Sequence, residues 1–267
     1  MCGRYVTITK VKEIEKRFGA TASKDFSIVP SANVAPGQFG TVITDSKPNE
    51  LQSFQFGFTP FWAKKRMYVI NARSEGDHNA ENNIHYTGPM GILSKPMFRA
   101  SIRKKRCLVI ADAFIEGPEK EKLNKPYCVY LDDRPFAFAG IWDEWADPNT
   151  GEIIPSFSII TTQPNEATQA IGHHRSPIIL APEEEKQWIN PDAELSEVLA
   201  MLRPWSLGGI NAYPISPAIK DPRKSDLNLL KPLGTPVIPE YEYVLYEDLK
   251  LEGMGAAPSR QRRLFED

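Results

Sequence analysis

Short apolar segments with the character of β-strands recur along the whole chain, and this pattern constrains the fold more than any other feature. Phe54, Phe56 and Phe58 alternate with other side chains in the two-residue period of a half-buried strand, and Pro60 ends the run. Similar runs cover residues 67–71, 107–111, 127–131, 136–142, 157–162 and 177–180. Helical patterns fall irregularly between them rather than in strict βαβ alternation. The sequence therefore predicts an α+β fold and not a doubly wound sheet.

Four short helices are predicted between these strands. Thr9 is expected to be the N-cap of a helix that carries Val11, Ile14 and Phe18 on one face. Residues 33–37, Asn-Val-Ala-Pro-Gly, have the composition of a turn or loop. The other predicted helices cover residues 165–171, residues 183–189 with Pro182 at the first position, and residues 193–202.

Size and composition are typical of a soluble globular protein. The 267 residues are 41% hydrophobic and 25% charged. No apolar run approaches the roughly 18–20 residues of a membrane span, and no basic region precedes an apolar stretch at the N-terminus. Neither a membrane span nor a signal peptide is predicted. Residues 1–252 are expected to form one domain, followed by a flexible tail over residues 253–267.

The cysteines and the net charge exclude some classes of protein. Cys2, Cys107 and Cys128 are far apart and show no Cys-x-x-Cys spacing. A disulfide framework or structural zinc site is therefore not expected, and a reducing cytoplasm fits. The net charge of −2 argues mildly against a general nucleic-acid coat protein, although a local basic groove would not appear in the sum.

Cys2 has the most distinctive chemistry in the chain. Methionine aminopeptidase can remove Met1 in front of so small a side chain, which leaves an amine and a thiol on adjacent carbons. The amine titrates at about 7.7–8.0, so part of it is nucleophilic at neutral pH. An aldehyde that meets this 1,2-aminothiol forms a Schiff base with the amine and then closes onto sulfur as a thiazolidine. The alternative is that Cys2 is an accident of the terminus, because a lone cysteine needs partners before it indicates chemistry.

Polar groups close to the ends of apolar strands supply candidate partners, since functional side chains commonly emerge there. The four segments are Asn71-Ala72-Arg73-Ser74-Glu75, Arg106-Cys107-Leu108 running to Ala113-Phe114-Ile115-Glu116, Thr161-Thr162, and His173-His174-Arg175-Ser176-Pro177. Half-buried at a strand end, Glu116 would have a raised pKa suited to acid–base chemistry; the alternative is a solvated glutamate. On extended backbone His173 and His174 would point to opposite sides, so no metal site is predicted. One of them suits a proton shuttle, and the alternative is a surface histidine.

Basic residues accompany these segments. Arg4, Arg73 and Arg175 each lie within two residues of a candidate, and arginines in such places suit bidentate phosphate binding. Single-stranded nucleic acid needs positive charge for its backbone and aromatic rings for its bases. A run of charges is also common on a solvated surface. Further basic residues with aromatic neighbours are 64–66 beside Trp62 and 99–106, five basic side chains in eight, after Phe98.

In this order, the motifs resemble the SRAP family, the SOS-response-associated peptidases or abasic-site processing proteins. Several separate motifs in the right order make the match specific, and it covers most of the chain. The segments that carry it are Met1-Cys2-Gly3-Arg4, Asn33-Val34-Ala35-Pro36, Phe56-Gly57-Phe58, Phe61-Trp62, Asn71-Ala72-Arg73-Ser74-Glu75, Arg106-Cys107-Leu108, Glu116, Ala139-Gly140-Ile141-Trp142, Thr161-Thr162, His173-x-Arg175-x-Pro177 and Tyr213-Pro214-Ile215-Ser216.

The resemblance implies a β-rich α+β fold built round a distorted barrel, with Cys2 at the floor of a positively charged groove. It implies binding to single-stranded DNA and a thiazolidine crosslink between Cys2, after loss of Met1, and the ring-opened sugar of an abasic site. A lyase side reaction and a peptidase activity that removes the protein's own methionine are further implications. The implied partner is single-stranded DNA with abasic sites, for a cytoplasmic monomer that joins the nucleoid when bound. No cofactor and no membrane are implied.

The resemblance also implies a role for each residue of the site. Cys2 is the nucleophile through its amine and its sulfur, and Asn71 holds the sugar or Cys2 in place. Glu116 manages protons during Schiff-base formation, and His173 assists ring opening and reversal. The implied DNA contacts are Arg4, Arg73 and Arg175 on flanking phosphates, and Trp62 against the DNA near the lesion.

Two positions depart from the family pattern, and two rival functions stay open. Gly117 stands where the family commonly has tryptophan, and Ser176 replaces a methionine, which affects DNA affinity and geometry more than reaction type. One rival is an N-terminal cysteine amidohydrolase or peptidase, which would require an oxyanion hole. The other is a protein that binds single strands without a covalent bond, for which Cys2 would be dispensable.

Overall fold

The computed structural model describes residues 2–23, 26, 29–239 and 245–253. The described strands are β1 (Arg4–Thr7), β2 (Thr21–Ala22), β3 (Ser31–Val34), β4 (Phe39–Thr44), β5 (Lys47–Phe56), β6 (Asn71–Arg73), β7 (Arg106–Ala111), β8 (Ala113–Glu116), β9 (Tyr127–Leu131), β10 (Phe136–Ala146), β11 (Ile153–Thr162), β12 (Ser176–Pro177) and β13 (Ile210–Pro214). The α-helices are α1 (Val11–Phe18), α2 (Ser101–Lys104), α3 (Glu166–Ala170), α4 (Pro182–Trp188), α5 (Leu195–Ala200) and α6 (Leu245–Gly253).

Five of the strands close into a small barrel. Antiparallel pairing joins β5 to β4, β4 to β7, β7 to β10 and β10 to β11. A parallel pairing of β11 with β5 completes the ring, with Phe157 opposite Phe56. The rings of these two residues stack at 5.3 Å between centroids inside the barrel. The expected β-rich α+β fold round a barrel is confirmed.

A second sheet packs against the barrel through shared aromatic residues. Its five strands pair in the order β13-β9-β8-β1-β3, and all of these pairings are antiparallel. Tyr5 of β1 and Phe114 of β8 both approach Phe138 of β10 edge-on, with ring centroids 6.2 and 5.9 Å apart. Because these contacts bury the inner face of the sheet, β1 holds the N-terminal residues against the barrel.

Helices cover the outward face of the barrel strands. Trp188 of α4 and Val198 of α5 belong to the same buried cluster as Leu108 and Ile141 on the barrel. Arg106, from the basic run 99–106, is 1% exposed and donates to the carbonyl oxygen of Trp188 at 2.6 Å. This arginine is therefore part of the protein interior rather than of a basic surface. None of the helices in the described ranges is long and apolar enough to cross a membrane.

Most predicted strands are present, but two are shorter than predicted, and the barrel strand β4 and residues 47–53 of β5 are not among the predicted strands. The predicted strands 107–111, 127–131, 136–142 and 157–162 correspond to β7, β9, β10 and β11. The predicted strand 67–71 is wrong in extent, because only an isolated bridge forms at Val69 before β6 begins at Asn71. The predicted strand 177–180 is reduced to β12 and a bridge at Ile179. In both segments only short or isolated pairings form, so the apolar pattern of the sequence predicts longer strands than the structure contains.

Local polar contacts explain two further differences. The helix α1 begins at Val11 with Lys10 at its N-cap, so the prediction of Thr9 as the cap is wrong. The Thr9 hydroxyl instead donates to the carboxylate of Asp112. Residues 33–34 of the predicted turn belong to β3.

The division into one domain over residues 1–252 stays a prediction. The chain is described to Gly253, where α6 ends. Residues 254–267, which make up the rest of the predicted tail, lie outside the described part of the chain.

Replacement of Gly40 is expected to destabilise the barrel. A Cβ at Gly40 would overlap the buried hydroxyl of Tyr5 and lie 3.2 Å from the ring of Phe157. Overpacking of this kind costs about 1–3 kcal/mol. Gly40→Ala should therefore lower the free energy of unfolding by about this amount in urea denaturation.

The double variant provides the control. The Tyr5 hydroxyl forms no hydrogen bond with any residue in the described ranges. Tyr5→Phe should therefore be tolerated, and it should recover part of the stability that Gly40→Ala loses. If Gly40→Ala lowered the free energy of unfolding equally in wild type and in Tyr5→Phe, this account would be contradicted.

Candidate active site

The pairing of β1 with β8 sets the position of Cys2. The register pairs Arg4 with Ile115, and its extension toward the N-terminus places Gly3 opposite Glu116. Cys2 is 1% exposed and belongs to the hydrophobic cluster that fills the barrel. Burial is the main cause that raises the pKa of its thiol, and the nearby charge of Glu116 adds to the effect. The sulfur is therefore a protonated thiol at neutral pH.

Asn71, which lies 69 residues from Cys2 in the sequence, contacts its main chain. β6 pairs in parallel with β11 and places Asn71 opposite Ile159. The side-chain nitrogen Nδ2 donates to the carbonyl oxygen of Cys2 at 3.1 Å. Its Oδ1 is buried and accepts no hydrogen bond from a residue that the structure describes. The Asn71 amide thus binds the main chain at Cys2 through its nitrogen, and its Oδ1 can accept a hydrogen bond from a ligand.

Glu116 and His173 form a buried pair close to Cys2. Glu116 Oε2 lies 3.6 Å from His173 Nε2. Burial is the largest cause that raises the pKa of Glu116. Burial also lowers the pKa of His173 to about 3, with smaller effects from neighbouring positive charges. The imidazole is therefore neutral at physiological pH, whereas the carboxyl group keeps its proton to a higher pH than an exposed glutamate does. Such a pair can donate and accept protons.

The rings of His173 and His174 lie next to each other. Their centroids are 4.8 Å apart. The prediction that they point to opposite sides is wrong, because the backbone bends at this point after α3 instead of being extended. His174 Nδ1 lies 3.5 Å from a carboxylate oxygen of Glu119. Among the described residues, no group of three or more His, Cys, Asp or Glu side chains is arranged to hold a metal ion.

Arg73 and Arg175 flank one buried carboxylate, that of Glu75. Arg175 Nη2 donates to Glu75 Oε2 at 2.8 Å, and the two side chains are 3% and 1% exposed. Arg73 Nε lies 4.0 Å from the same oxygen, and its side chain is 28% exposed. Thr161 of β11 organises the group, because Arg73 lies opposite it on one edge of the strand and Pro177 on the other. Phosphate binding by either arginine stays a prediction, and the guanidinium of Arg175 faces Glu75.

Arg4 connects β1 to a later segment of the chain. It donates to Asn33 Oδ1 at 2.8 Å and to the carbonyl oxygens of Ile219 and Lys220 at 3.2 and 2.9 Å. Asn33 is fully buried and donates to three carbonyl oxygens between residues 219 and 224. Arg4 and Asn33 therefore tie the strand that follows Cys2 to this segment. Phosphate binding by Arg4 stays a prediction.

Trp62 lies on an exposed loop beside the barrel. It is 51% exposed, and the adjacent Phe61 is 63% exposed. The loop is anchored because the Phe61 N–H donates to Asp143 Oδ2 at 2.9 Å and Trp145 Nε1 donates to the Ala63 carbonyl oxygen at 2.7 Å. An exposed ring on an anchored loop is available for stacking, and the contact of Trp62 with DNA stays a prediction.

The two departures from the family pattern have direct structural explanations. A Cβ at Gly117 would overlap the carbonyl oxygen of Lys122, so the loop after β8 occupies the space that a side chain would need. Ser176 is buried, and its hydroxyl donates to the carbonyl oxygen of Gln163 at 2.8 Å. Both residues are therefore fitted to their surroundings in this chain.

The residues that sequence reasoning missed are the buried polar ones. Glu75 is the counter-charge of Arg175, and Asn33 binds Arg4. Glu75 lies in a motif that the sequence singled out, but nothing local indicates that its carboxylate is buried. For Asn33 the sequence pattern predicts a turn, and only its three distant carbonyl partners reveal its role.

Loss of the Glu75 carboxylate is expected to destabilise the protein most at neutral pH. Burial alone would raise the pKa of Glu75, but the hydrogen bond and charge of Arg175 outweigh it and lower the pKa. Glu75→Gln leaves the Arg175 charge buried without its partner, which costs about 3–5 kcal/mol. A carboxyl group whose pKa is lower in the folded than in the unfolded protein stabilises the fold at pH values above its unfolded pKa. This stabilisation is lost as the pH falls through the folded pKa.

The difference between wild type and Glu75→Gln should therefore narrow below about pH 4, where the unfolded glutamate takes up its proton. Urea denaturation of both proteins from pH 7 to pH 3 measures it. Lys47–Glu50 is an exposed pair, and Glu50→Gln is the matched control with little expected effect. A difference that stays constant with pH would contradict the account.

Comparison with known proteins identifies the family of this chain. The chain matches the model of the family described as SOS response associated peptidase (SRAP) over residues 1–222. It is 32% identical over 239 residues to the abasic site processing protein YoqW of Bacillus subtilis strain 168, which covers 86% of this chain and 99% of YoqW. It is 26% identical over 245 residues to the abasic site processing protein HMCES of Gallus gallus, covering 78% of this chain and 68% of HMCES.

A solved structure extends the comparison to three dimensions. The crystal structure of a protein from Bacteroides thetaiotaomicron is similar with a TM-score of 0.73 and 30% identity, covering 87% of this chain and 100% of that one. The family match spans most of the chain, and the resemblance seen in the sequence is confirmed. This chain belongs to the SRAP family.

Proposed function

We propose that this chain is an abasic-site processing protein that binds single-stranded DNA and joins it covalently through Cys2. The observation that carries the proposal is the convergence of four groups from distant parts of the chain. Asn71 donates to the Cys2 main chain, and the β1–β8 register places Gly3, next to Cys2, opposite Glu116, which lies 3.6 Å from His173. The relatives named abasic site processing protein support the same reading.

The reaction begins with hydrolysis of the Met1–Cys2 peptide bond, which releases methionine and leaves the Cys2 amine. The ring-opened sugar of an abasic site presents an aldehyde. Because the thiol is buried and protonated, the amine attacks the aldehyde carbon first and forms a carbinolamine. The protonated form of Glu116, which its raised pKa favours, donates a proton to the departing hydroxyl, so that water leaves and an imine forms.

Ring closure then consumes the thiol. The sulfur adds to the imine carbon, the thiol proton passes through the Glu116–His173 pair to the nitrogen, and a thiazolidine results. From the free Cys2 amine and the aldehyde to the thiazolidine, the steps release one water, and they need no oxidant or reductant. If closure fails, the imine acidifies the adjacent sugar carbon, and β-elimination breaks the DNA strand. Asn71 Oδ1, which has no hydrogen-bond donor among the residues that the structure describes, accepts from a sugar hydroxyl during these steps.

The DNA backbone is proposed to lie along the arginines. Arg73 is 28% exposed and has direct access to a phosphate, whereas Arg175 is 3% exposed and paired with Glu75, so that two arginines and one carboxylate leave a single positive charge for the phosphate. Arg4 lies beside Cys2 and contributes positive charge at the start of β1. Trp62 packs against the DNA near the lesion. Binding should therefore weaken as salt rises, because counterions compete for the phosphates.

Crosslinking should require Cys2, its free amine and the aldehyde. Protein whose Met1 removal is confirmed by mass is mixed with a single-stranded oligonucleotide carrying one abasic site and analysed on a denaturing gel. A heat-stable shifted band is expected for wild type and not for Cys2→Ala. Cys2→Ser keeps the amine without the thiol, so it should give strand cleavage instead of a stable band.

An oligonucleotide with a tetrahydrofuran in place of the abasic sugar is the matched control, since it has no aldehyde. Lack of any band with processed wild-type protein would exclude covalent chemistry and favour an amidohydrolase or a non-covalent binding protein. Amide hydrolysis would depend little on salt, whereas DNA binding would depend on it steeply.

Glu116 should control the pH dependence of crosslinking. A carboxyl group that donates a proton is active below its pKa, so the rate per unprotonated amine should rise as the pH falls toward the raised pKa of Glu116. Glu116→Gln should remove this rise and slow crosslinking by about 100-fold or more. Rates measured between pH 5 and pH 9 test this.

The His173 ring provides an independent check on the same pair. Its pKa of about 3 predicts that NMR signals of the ring do not titrate between pH 8 and about pH 4. An inflection of the His173 signal near pH 6.5 would contradict the proposed neutral imidazole.

A further inference from the structure

The largely exposed aromatic side chains lie in two segments of the chain, at Phe39 and at residues 61–68. Phe39 is 61%, Phe61 63%, Trp62 51% and Tyr68 54% exposed. Of the phenylalanine, tyrosine and tryptophan side chains that the structure describes, only these four are largely exposed. Large rings grouped at a surface indicate a binding site. Trp62 has a proposed place at the lesion, whereas Phe39 and Tyr68 have no role in the reaction.

Phe39 and Tyr68 are connected through two polar side chains. Phe39 lies directly opposite Gln55 in the β4–β5 ladder, so both side chains share one face. Gln55 accepts a hydrogen bond from Arg66 Nη2 and donates to the Gly37 carbonyl oxygen at 2.7 Å. The guanidinium carbon of Arg66 lies 5.2 Å from the centre of the Tyr68 ring. We call Phe39, Gln55, Arg66 and Tyr68 the aromatic platform.

The charge around the platform is positive and uncompensated. Residues 51–72 contain Lys64, Lys65 and Arg66 and no aspartate or glutamate, in a chain whose net charge is −2. Lys64 and Lys65 are exposed. Within the described ranges, neither lysine forms a salt bridge, and nor does Arg66. These cations are therefore available to an anionic ligand.

The platform adjoins the candidate active site. Tyr68 is three residues before Asn71, so their Cα atoms are at most about 11 Å apart. Asn71 donates to the main chain of Cys2 at 3.1 Å. Between them, Ile70 packs against the hydrophobic cluster to which Cys2 belongs. A strand with its abasic sugar at Cys2 would pass the platform with a nearby nucleotide.

We propose that the aromatic platform stacks an unpaired base of single-stranded DNA close to the abasic site. Rings beside uncompensated cations fit a nucleotide, which presents a flat base and a phosphate together. Arg66 and Tyr68 supply the stacking surface with Phe39, and Lys64 and Lys65 meet the phosphates. The inference rests on the proposed function, because it extends the path of the DNA beyond the reacting sugar.

Fluorescence of 2-aminopurine, which falls when the base stacks, tests the platform directly. Undamaged single-stranded oligonucleotides carry this base at successive positions and are titrated with wild type, Phe39→Ala and Tyr68→Ala. Wild type should quench at least one position. Each variant should lose that quenching, and its Kd should rise about 5- to 100-fold. Tyr68→Phe keeps the ring and should behave as wild type.

Two further variants separate the contributions. Lys64→Gln should lower the slope of log Kd against log salt by about one, because one cation no longer meets a phosphate. Leu207→Ala removes an apolar side chain that is 61% exposed and lies outside both segments, and it should change nothing. Thermal unfolding of every variant verifies the fold. Unchanged quenching and Kd in both alanine variants would overturn the platform.

Crosslinking measured in parallel keeps the two proposals apart. With saturating abasic-site DNA, Phe39→Ala and Tyr68→Ala should crosslink at the wild-type maximal rate, because the Cys2 site is intact. If wild type fails to crosslink while the variants still lose stacking, the covalent function is wrong and the platform stands. If crosslinking occurs and stacking is unaffected by the variants, only the platform is wrong.

Discussion

The antiparallel pairing of β1 with β8 is the constraint on which the rest of the site depends. It aligns Arg4 with Ile115 and so brings the residues next to Cys2 opposite Glu116. Tyr5 then packs its ring into the barrel against Phe138, which anchors the strand. A residue at a chain end would normally be exposed and mobile. Here the pairing holds it in a buried site where acid–base groups can act on it.

β11 performs the corresponding task for the other half of the site. Its Thr161 lies between Arg73 on one edge and Pro177 on the other, so two segments about a hundred residues apart in the chain meet. Glu75 is buried between the two arginines and offsets their charge. The same low-dielectric interior shifts the pKa of Glu116 upward and that of His173 downward. Barrel closure thus produces both the shape and the chemistry of the site.

Sequence patterns predicted the strands with continuous apolar runs better than the other strands and the buried polar contacts. β7, β10 and β11 in the barrel and β9 in the second sheet have such runs because they are buried on both faces, and the runs can be recognised locally. Thr9 has the residue type of an N-cap, yet its hydroxyl donates to Asp112, more than a hundred residues away. The sequence pattern likewise predicts a turn at Asn33, because its hydrogen-bond partners are distant in the sequence. Local propensity carries no information about such contacts.

By itself the sequence determined the strand-rich class of the fold and identified the candidate reactive groups, because alternation of apolar residues and the chemistry of Cys2 are local properties. Only the tertiary structure decided that Asn71 contacts Cys2 and that Glu116 faces His173. It also decided that Arg175 is buried against Glu75. These relations depend on strand register and on burial, and both are set by contacts between segments that are far apart in the chain.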